Sequence, residues 1–147
     1  SVYDAKEQFV PLKHELDYIQ NYIEFEKIRV GEKLLLYVEI EPNINPAIKI
    51  APLLLIVFIE NAFKHAKNTT SQEIQVSMQL KTWKDTILFA VWNSNSNQQG
   101  STMLNAHSGF GLESVRKRLA LLYPGEYDLS IEDKDHSYSV MLQLKAK

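Results

Sequence analysis

The segment that most constrains this chain runs from Pro52 to Thr70, PLLLIVFIENAFKHAKNTT. Its first half is apolar enough to be the middle of a core, yet Glu60, Asn61, Lys64 and His65 fall within two turns. Burying an unpaired amide costs about 1–3 kcal/mol, and a charge more, so a helix built this way needs partners for those groups. Proline is tolerated in a first helical turn, which places the helix from about Leu53 to Lys67. On it Asn61 lies four residues before His65 and three before Lys64, so the three share one side, with Glu60 beside them. An amide oxygen is a hard ligand suited to Mg²⁺, and two basic groups suit phosphate oxygens. The same pattern also describes a helix whose polar edge merely reaches solvent, and this helix alone does not separate the two.

The rest of the chain sets the frame. With 147 residues, 45% of them hydrophobic, there is apolar material for one core, so one globular unit is expected. A net charge of -2 supplies no basic field for nucleic acid or an anionic bilayer, and any bound anion must be held by local geometry. The lack of cysteine excludes disulfides and thiolate metal sites and suits a reducing compartment, so a cytoplasmic setting is expected. The longest apolar stretch, near Pro52 to Ile59, is far shorter than the roughly 20 residues of a membrane span.

Leu12, Leu16, Ile19, Ile23 and Ile28 recur near the helical period, predicting an amphipathic helix from Val10 to Val30 that ends at Gly31. KLLLYVEIEP, from Lys33, reads as a strand, and AIKIA follows as a short one. QEIQVSMQLK from Gln72 and TILFAVWN from Thr86 form a hairpin across Trp83, Lys84 and Asp85. Asn93 to Ser108 is an uncharged polar loop, of the length that lids have. A helix follows from Gly109 with Leu112, Val115, Leu119 and Leu122 on one face, stopped by Pro124 and Gly125, and two strands close the chain. Helices interleaved with hairpins predict an α/β two-layer sandwich with a mixed, mostly antiparallel sheet and helices on one face. Gly109, Phe110 and Gly111 before a helix would let backbone N–H groups approach an anion, although a lone G-x-G is weak by itself.

Together, IENAFKH, a strand ending VWNSN, a polar loop and GFGLESVRKRLALLYPGEY resemble, in order and spacing, the ATP-binding domain of sensor histidine kinases of the GHKL (Bergerat) superfamily, and most of all its LytS and YehU type. LKHELDYIQNYIEFEKIRVGEKL is similar to the segment leading into that domain. The resemblance implies residues 1–30 as a lead-in helix and 31–147 as the catalytic domain. It also implies ATP and Mg²⁺ as ligands and transfer of the γ-phosphate to a histidine outside this fragment. By resemblance Asn61 is the Mg²⁺-binding asparagine and Glu60 the acid before it. Lys64 and His65 lie near the phosphates, Asn93 meets the adenine amino group, and Gly109, Phe110, Gly111 and Leu112 form the phosphate-cradling turn. Arg118 takes the family's R-L position, with Arg116 on the same helix; a helix-surface role fits both as well. Ser94 to Ser108 is the lid.

Implied partners are the phosphoacceptor helix domain of the same kinase, a response regulator of LytTR type and a second copy in the full-length protein, which is anchored in the inner membrane; nucleic acid is not among them. The departures are Asn93-Ser94-Asn95 in place of D-x-G, Val57 in place of a second polar residue four positions before Asn61, and Ser114 after G-x-G-L. A neutral Asn93 makes a weaker hydrogen bond than an aspartate, so a low-affinity domain serving as a signalling or dimerisation scaffold is the alternative, and a GHKL ATPase or anti-sigma-type kinase is a third. His14 precedes an acid, but its helix lacks the R-T-P and P-H-F motifs of phosphoacceptor segments, and it reads as a solvent-facing histidine. His107 and His136 read as surface groups.

Overall fold

The structure, a computed structural model, describes residues 8–67, 73–95 and 111–147. Strand β1 (Val10–Pro11) leads into helix α1 (Leu12–Val30), one 3₁₀ turn (Gly31–Lys33) and β2 (Leu34–Ile40). Then come β3 (Lys49–Ile50), α2 (Leu55–Lys67), β4 (Ile74–Trp83) and β5 (Thr86–Ser94). Helix α3, over residues 111–122, precedes β6 (Tyr127–Asp133) and β7 (Ser137–Lys145). β1 and β3 form a small antiparallel pair, and the other strands form a five-stranded sheet in the order β2-β4-β5-β7-β6. Among the described strands only β2 against β4 is parallel, because α2 lies between them in the chain and carries it back to the same end.

Alternation in the strands decides where the helices go. Val76, Met78 and Leu80 of β4, Ile87, Phe89 and Val91 of β5, and Val140, Leu142 and Leu144 of β7 are buried on one face. On the other face Leu35, Tyr37, Leu88 and Met141 are exposed. The three described helices supply much of the rest of the core, through Leu12, Leu16, Ile19 and Ile23 of α1, Leu55, Phe58, Ile59 and Phe63 of α2, and Val115 and Leu119 of α3. This is the expected two-layer α/β sandwich. Among the described residues no helix is long and apolar enough to cross a membrane.

Four local expectations need correction. α2 starts at Leu55, and Pro52 sits in a turn before it in which Leu53 adopts the left-handed region, φ 56°. The carboxylate of Glu15 explains this turn: Oε2 accepts from the Leu53 amide at 2.9 Å and Oε1 from the Leu54 amide at 3.3 Å. An acid from α1 thus caps a helix that begins 40 residues later, and its negative charge meets the positive end of the α2 dipole. Second, the buried face of α1 includes Glu15 and Glu26, while Ile28, assigned above to the apolar stripe, is 82% exposed. Third, Asn93 and Ser94 belong to β5 and not to the polar loop. The hairpin turn is narrower than expected, since Trp83 pairs with Thr86 and only Lys84 and Asp85 turn.

Glu26 is a buried charge with close partners. Tyr22 Oη donates to it at 2.6 Å and Lys67 Nζ at 2.9 Å, and Arg29 lies 3.8 Å away. Burial pushes this carboxyl up, but the Lys67 and Tyr22 hydrogen bonds outweigh it and hold the group below its ordinary value of 4.5. Since Lys67 closes α2 and Tyr22 packs edge-on against Phe63 at 5.8 Å, α1 grips α2 at both ends.

Two measurements check this arrangement. Glu15→Ala strands two amides and is expected to lower the unfolding free energy in urea by about 2–4 kcal/mol; a loss below about 0.5 kcal/mol would mean that solvent replaces the carboxylate. The Glu26 contribution is complete above pH 4.5, the unfolded-state value, and is lost as pH falls through the lower folded value. Stability should therefore drop on acidification below that point, and less steeply in Glu26→Gln.

Candidate functional site

The apolar face of α2 lies on β4, β5 and β7, and toward its C-terminal end that face turns polar. Asn61 and His65, one turn apart, are 6% and 1% exposed and point into the helix–sheet interface. Opposite them, β5 and β7 place Asn93 and Tyr138 side by side, as direct partners in the antiparallel register. The His65 ring stacks on Tyr138 with centroids 4.4 Å apart and planes 13° from parallel. Asn93 is fully buried, and its Nδ2 donates to the Ser94 carbonyl at 2.9 Å. That bond uses the amide nitrogen and leaves Oδ1 buried without a partner among the described residues.

Several polar atoms here lack partners. Asn61 Nδ2, both His65 ring nitrogens and Asn93 Oδ1 are buried without a hydrogen bond among the described residues. Asn61 nevertheless lies near enough to the Tyr138 hydroxyl to oppose, in part, the upward push of burial on that phenol. Buried polar groups are paired in the great majority of cases, and each orphan costs about 1–3 kcal/mol, so four in one cluster mark a place where a ligand or water completes the structure. They comprise an amide oxygen from β5 and amide and imidazole nitrogens from α2.

The remaining expected residues divide. Gly111 stands where α3 meets α2: a Cβ added there would lie 3.4 Å from Val57 Cγ1, one helical turn before Asn61. That is an ordinary contact, so helix packing does not by itself demand glycine at this position. Leu112 is half-buried against the core. Glu60 and Lys64 are exposed, so the side of α2 that buries Asn61 and His65 does not bury Lys64 with them. Gly109, Phe110, His107 and most of the expected lid lie outside the described residues. Arg118 points elsewhere: its guanidinium donates to the Pro52 carbonyl at 2.8 Å and the Leu53 carbonyl at 3.4 Å, at the opposite end of α2. Arg116 is exposed and close enough for its charge to favour ionisation of Tyr138. His14 and His136 are exposed. Among the described residues no three His, Cys, Asp or Glu side chains are grouped to hold a metal.

Tyr138 is the residue that sequence reasoning missed. The alternation of SYSVMLQLK places it on the buried face with Val140, Leu142 and Leu144, but its pairing with Asn93 depends on strand register, which no local signal encodes.

Burial drives the His65 imidazole below its ordinary value of 6.5; Asp133 partly opposes this and Lys64 adds to it. The ring is therefore mainly neutral at pH 7, with one nitrogen able to donate and the other to accept, and is not a fixed cation. His65 signals in an NMR titration should move with a midpoint below 6.5, and stability should decline as pH falls through 6.5, because the unfolded chain takes up this proton first.

No family model matches the chain. It is 24% identical over 139 residues to the sensor protein LytS of Bacillus cereus and 25% identical over 136 residues to the sensor histidine kinase BtsS of Escherichia coli K12, covering 88% and 90% of this chain. In both cases the chain spans only 23% of the relative's length. In fold it is similar to the catalytic domain of histidine kinase ThkA, with a TM-score of 0.65, 12% identity and coverage of 95% of this chain and 98% of that one. It is also similar to the full-length kinase ShkA solved with AMPPNP, with a TM-score of 0.63, 10% identity and coverage of 99% and 32%. On sequence and fold together, the chain resembles the LytS and BtsS sensor histidine kinases over most of its length and has the α/β fold of the GHKL catalytic domains of histidine kinases.

Proposed function

We propose that this chain is the ATP-binding catalytic domain of a two-component sensor histidine kinase, which passes the γ-phosphate of ATP to a histidine carried outside these residues. The observation that carries the reading is the cluster of orphaned buried polar atoms on Asn61, His65 and Asn93, where the superfamily motifs fall. Its donor set fits the ligands. Asn93 Oδ1 is a preset acceptor for an exocyclic amino group, and the Asn61 side-chain oxygen is a hard ligand for Mg²⁺, whose other ligands would be phosphate oxygens and water. When bound, Mg²⁺ supplies charge neutralisation on the transferring phosphoryl group.

The chain's own contribution is positioning. Asn61 is held on a helix fixed at both ends by α1, Asn93 is oriented by the Ser94 carbonyl, and Gly111 of α3 stands against Val57, one turn before Asn61 on α2. Lys64, exposed one turn along α2, supplies a mobile cation for phosphate, and Glu60, exposed beside Asn61, is the local candidate for accepting the proton of the attacking histidine. Phosphoryl transfer asks for little beyond such placement and charge. In the full protein, α1 is the lead-in from the phosphoacceptor helices and residues 31–147 the catalytic domain. The domain faces the cytoplasm of a membrane-anchored homodimer that serves a response regulator of LytTR type.

Calorimetric titration with a non-hydrolysable ATP analogue tests the reading. Binding is expected to strengthen when Mg²⁺ is added. Asn61→Ala should remove that Mg²⁺ dependence while leaving the metal-free affinity nearly unchanged, and Gly111→Ala should weaken binding about tenfold or more without lowering thermal stability. A histidine-containing acceptor fragment should take up phosphate where a serine substrate does not. Absence of binding with and without metal would instead favour the scaffold role.

A further inference from the structure

The five-stranded sheet has two edges, and they are built differently. β6 carries Asp128, Glu132 and Asp133 among its seven residues, charges of the kind that keep other strands off an edge. β2, LLLYVEI, forms the opposite edge with six apolar residues and one acid, Glu39. Leu35, Tyr37 and Val38 are exposed, and Leu34, Leu36 and Ile40 are only partly covered. Among the described strands β2 pairs with β4 alone. The register shows which of its backbone groups are free. The Glu41 amide donates to the Leu80 carbonyl at 2.9 Å, and successive residues of a strand point their N–H and C=O to opposite sides, so Leu35, Tyr37 and Glu39 face β4. The N–H and C=O groups of Leu34, Leu36, Val38 and Ile40 point outward. Apart from water, what satisfies such a row of donors and acceptors at strand spacing is another extended backbone.

The side chains beside this edge select the segment it takes. On the helix-free face Tyr37, Ser77 and Trp92 lie in one row across β2, β4 and β5. The small Ser77 between two aromatic side chains leaves a hollow of about 380 Å³, completed by Leu35 and Gln75. A large apolar side chain on an added strand, laid across Leu35 and Tyr37, extends into it. Two residues beyond Tyr37 on the same face stands Glu39, exposed, with Glu41 two residues further on, so this end of the strand is acidic. Glu41 is already bonded to Thr82, which leaves Glu39 to meet a partner's cation. We propose that the outer edge of β2 is a docking site for an extended segment of a partner protein. The segment pairs with Leu34–Ile40 as a sixth strand and carries, on its helix-free side, a large apolar residue and a basic residue two positions apart. None of these residues belongs to the cluster on Asn61, His65 and Asn93, so the inference does not rest on the nucleotide reading.

Two capped peptides of about eight residues test it, built of Thr and Val with one Phe and one Arg two residues apart, the order reversed between them to suit parallel and antiparallel pairing. In an NMR titration up to about 1 mM peptide, one of the two is expected to bind. It should slow hydrogen exchange at the Leu36 and Val38 amides, with little change at the Leu35 and Tyr37 amides already facing β4. Val38→Pro removes an outward N–H and no ladder bond, and should weaken binding about tenfold or more. Glu39→Lys should weaken the Arg peptide several-fold and strengthen the same peptide with Glu in place of Arg, an exchange of preference that a loss of folding cannot imitate. Circular dichroism checks that both variants fold. The proposal is overturned if neither peptide binds, if protection appears away from β2, if binding is indifferent to Val38→Pro, or if Glu39→Lys leaves the preference unchanged. Self-association of the chain that Val38→Pro abolishes would also overturn it, by assigning the edge to a second copy.

Discussion

The geometry of the site depends on how four residues before α2 are held. Ala51 to Leu54 contribute backbone groups that other elements satisfy. The Ala51 amide donates to Tyr123 Oη at 2.9 Å, the Pro52 and Leu53 carbonyls accept from Arg118, and the Leu53 and Leu54 amides donate to Glu15. A carboxylate takes the N–H groups and a guanidinium takes the carbonyls, so the turn is matched on both sides by charged partners, which make the stronger hydrogen bonds. Glu15 belongs to α1, and Arg118 and Tyr123 to α3 and its C-terminal end, so one corner of the chain ties all three helices together. Leu53 adopts an unfavourable backbone conformation because these bonds over-determine it.

From that corner α2 runs across the sheet, and its polar end arrives over Asn93 and Tyr138. The second grip, Glu26 on Lys67, fixes the far end. A helix held at one end pivots, while one held at both can present Asn61 and His65 at a constant height above the sheet. The cost of the orphaned polar atoms that mark the site is offset by apolar burial in the rest of the interface, from Phe58 and Phe63 on α2 to Phe89 and Val91 on β5.

Much of the fold was legible because it follows from periodicity. The strands alternate cleanly, the three helices show 3.6-residue stripes, and Gly31, with φ 76°, ends α1 where a residue without Cβ is favoured. The errors share one cause. Glu15, Glu26, Leu53 and Arg118 owe their placement to partners 38 to 66 residues away in sequence, and a local pattern cannot see them. An acid in an amphipathic helix reads as solvent-facing unless its distant amides are known, so Ile28 was given the burial that belongs to Glu26. The motif residues were found from their order along the chain. Which of them meet was settled by strand register, and that is why Tyr138 was invisible beforehand.

An asparagine at position 93, where the resemblance leads one to expect an aspartate, fits the same packing. The side chain there is fully buried, between Val76 on one neighbouring strand and Tyr138 on the other, and no cation lies across from it on the described strands. A carboxylate at that point would be desolvated without an opposite charge whenever the site is empty, at a cost well above that of an amide. Asparagine avoids the penalty and, tied to the Ser94 carbonyl through Nδ2, still presents Oδ1 as an acceptor. The neutral acceptor makes the weaker hydrogen bond but is held in place before any ligand arrives, and an oriented group loses less on binding than a free one. What this chain gives up in charge at position 93, the base-recognition position under the proposed function, it partly recovers in preorganisation.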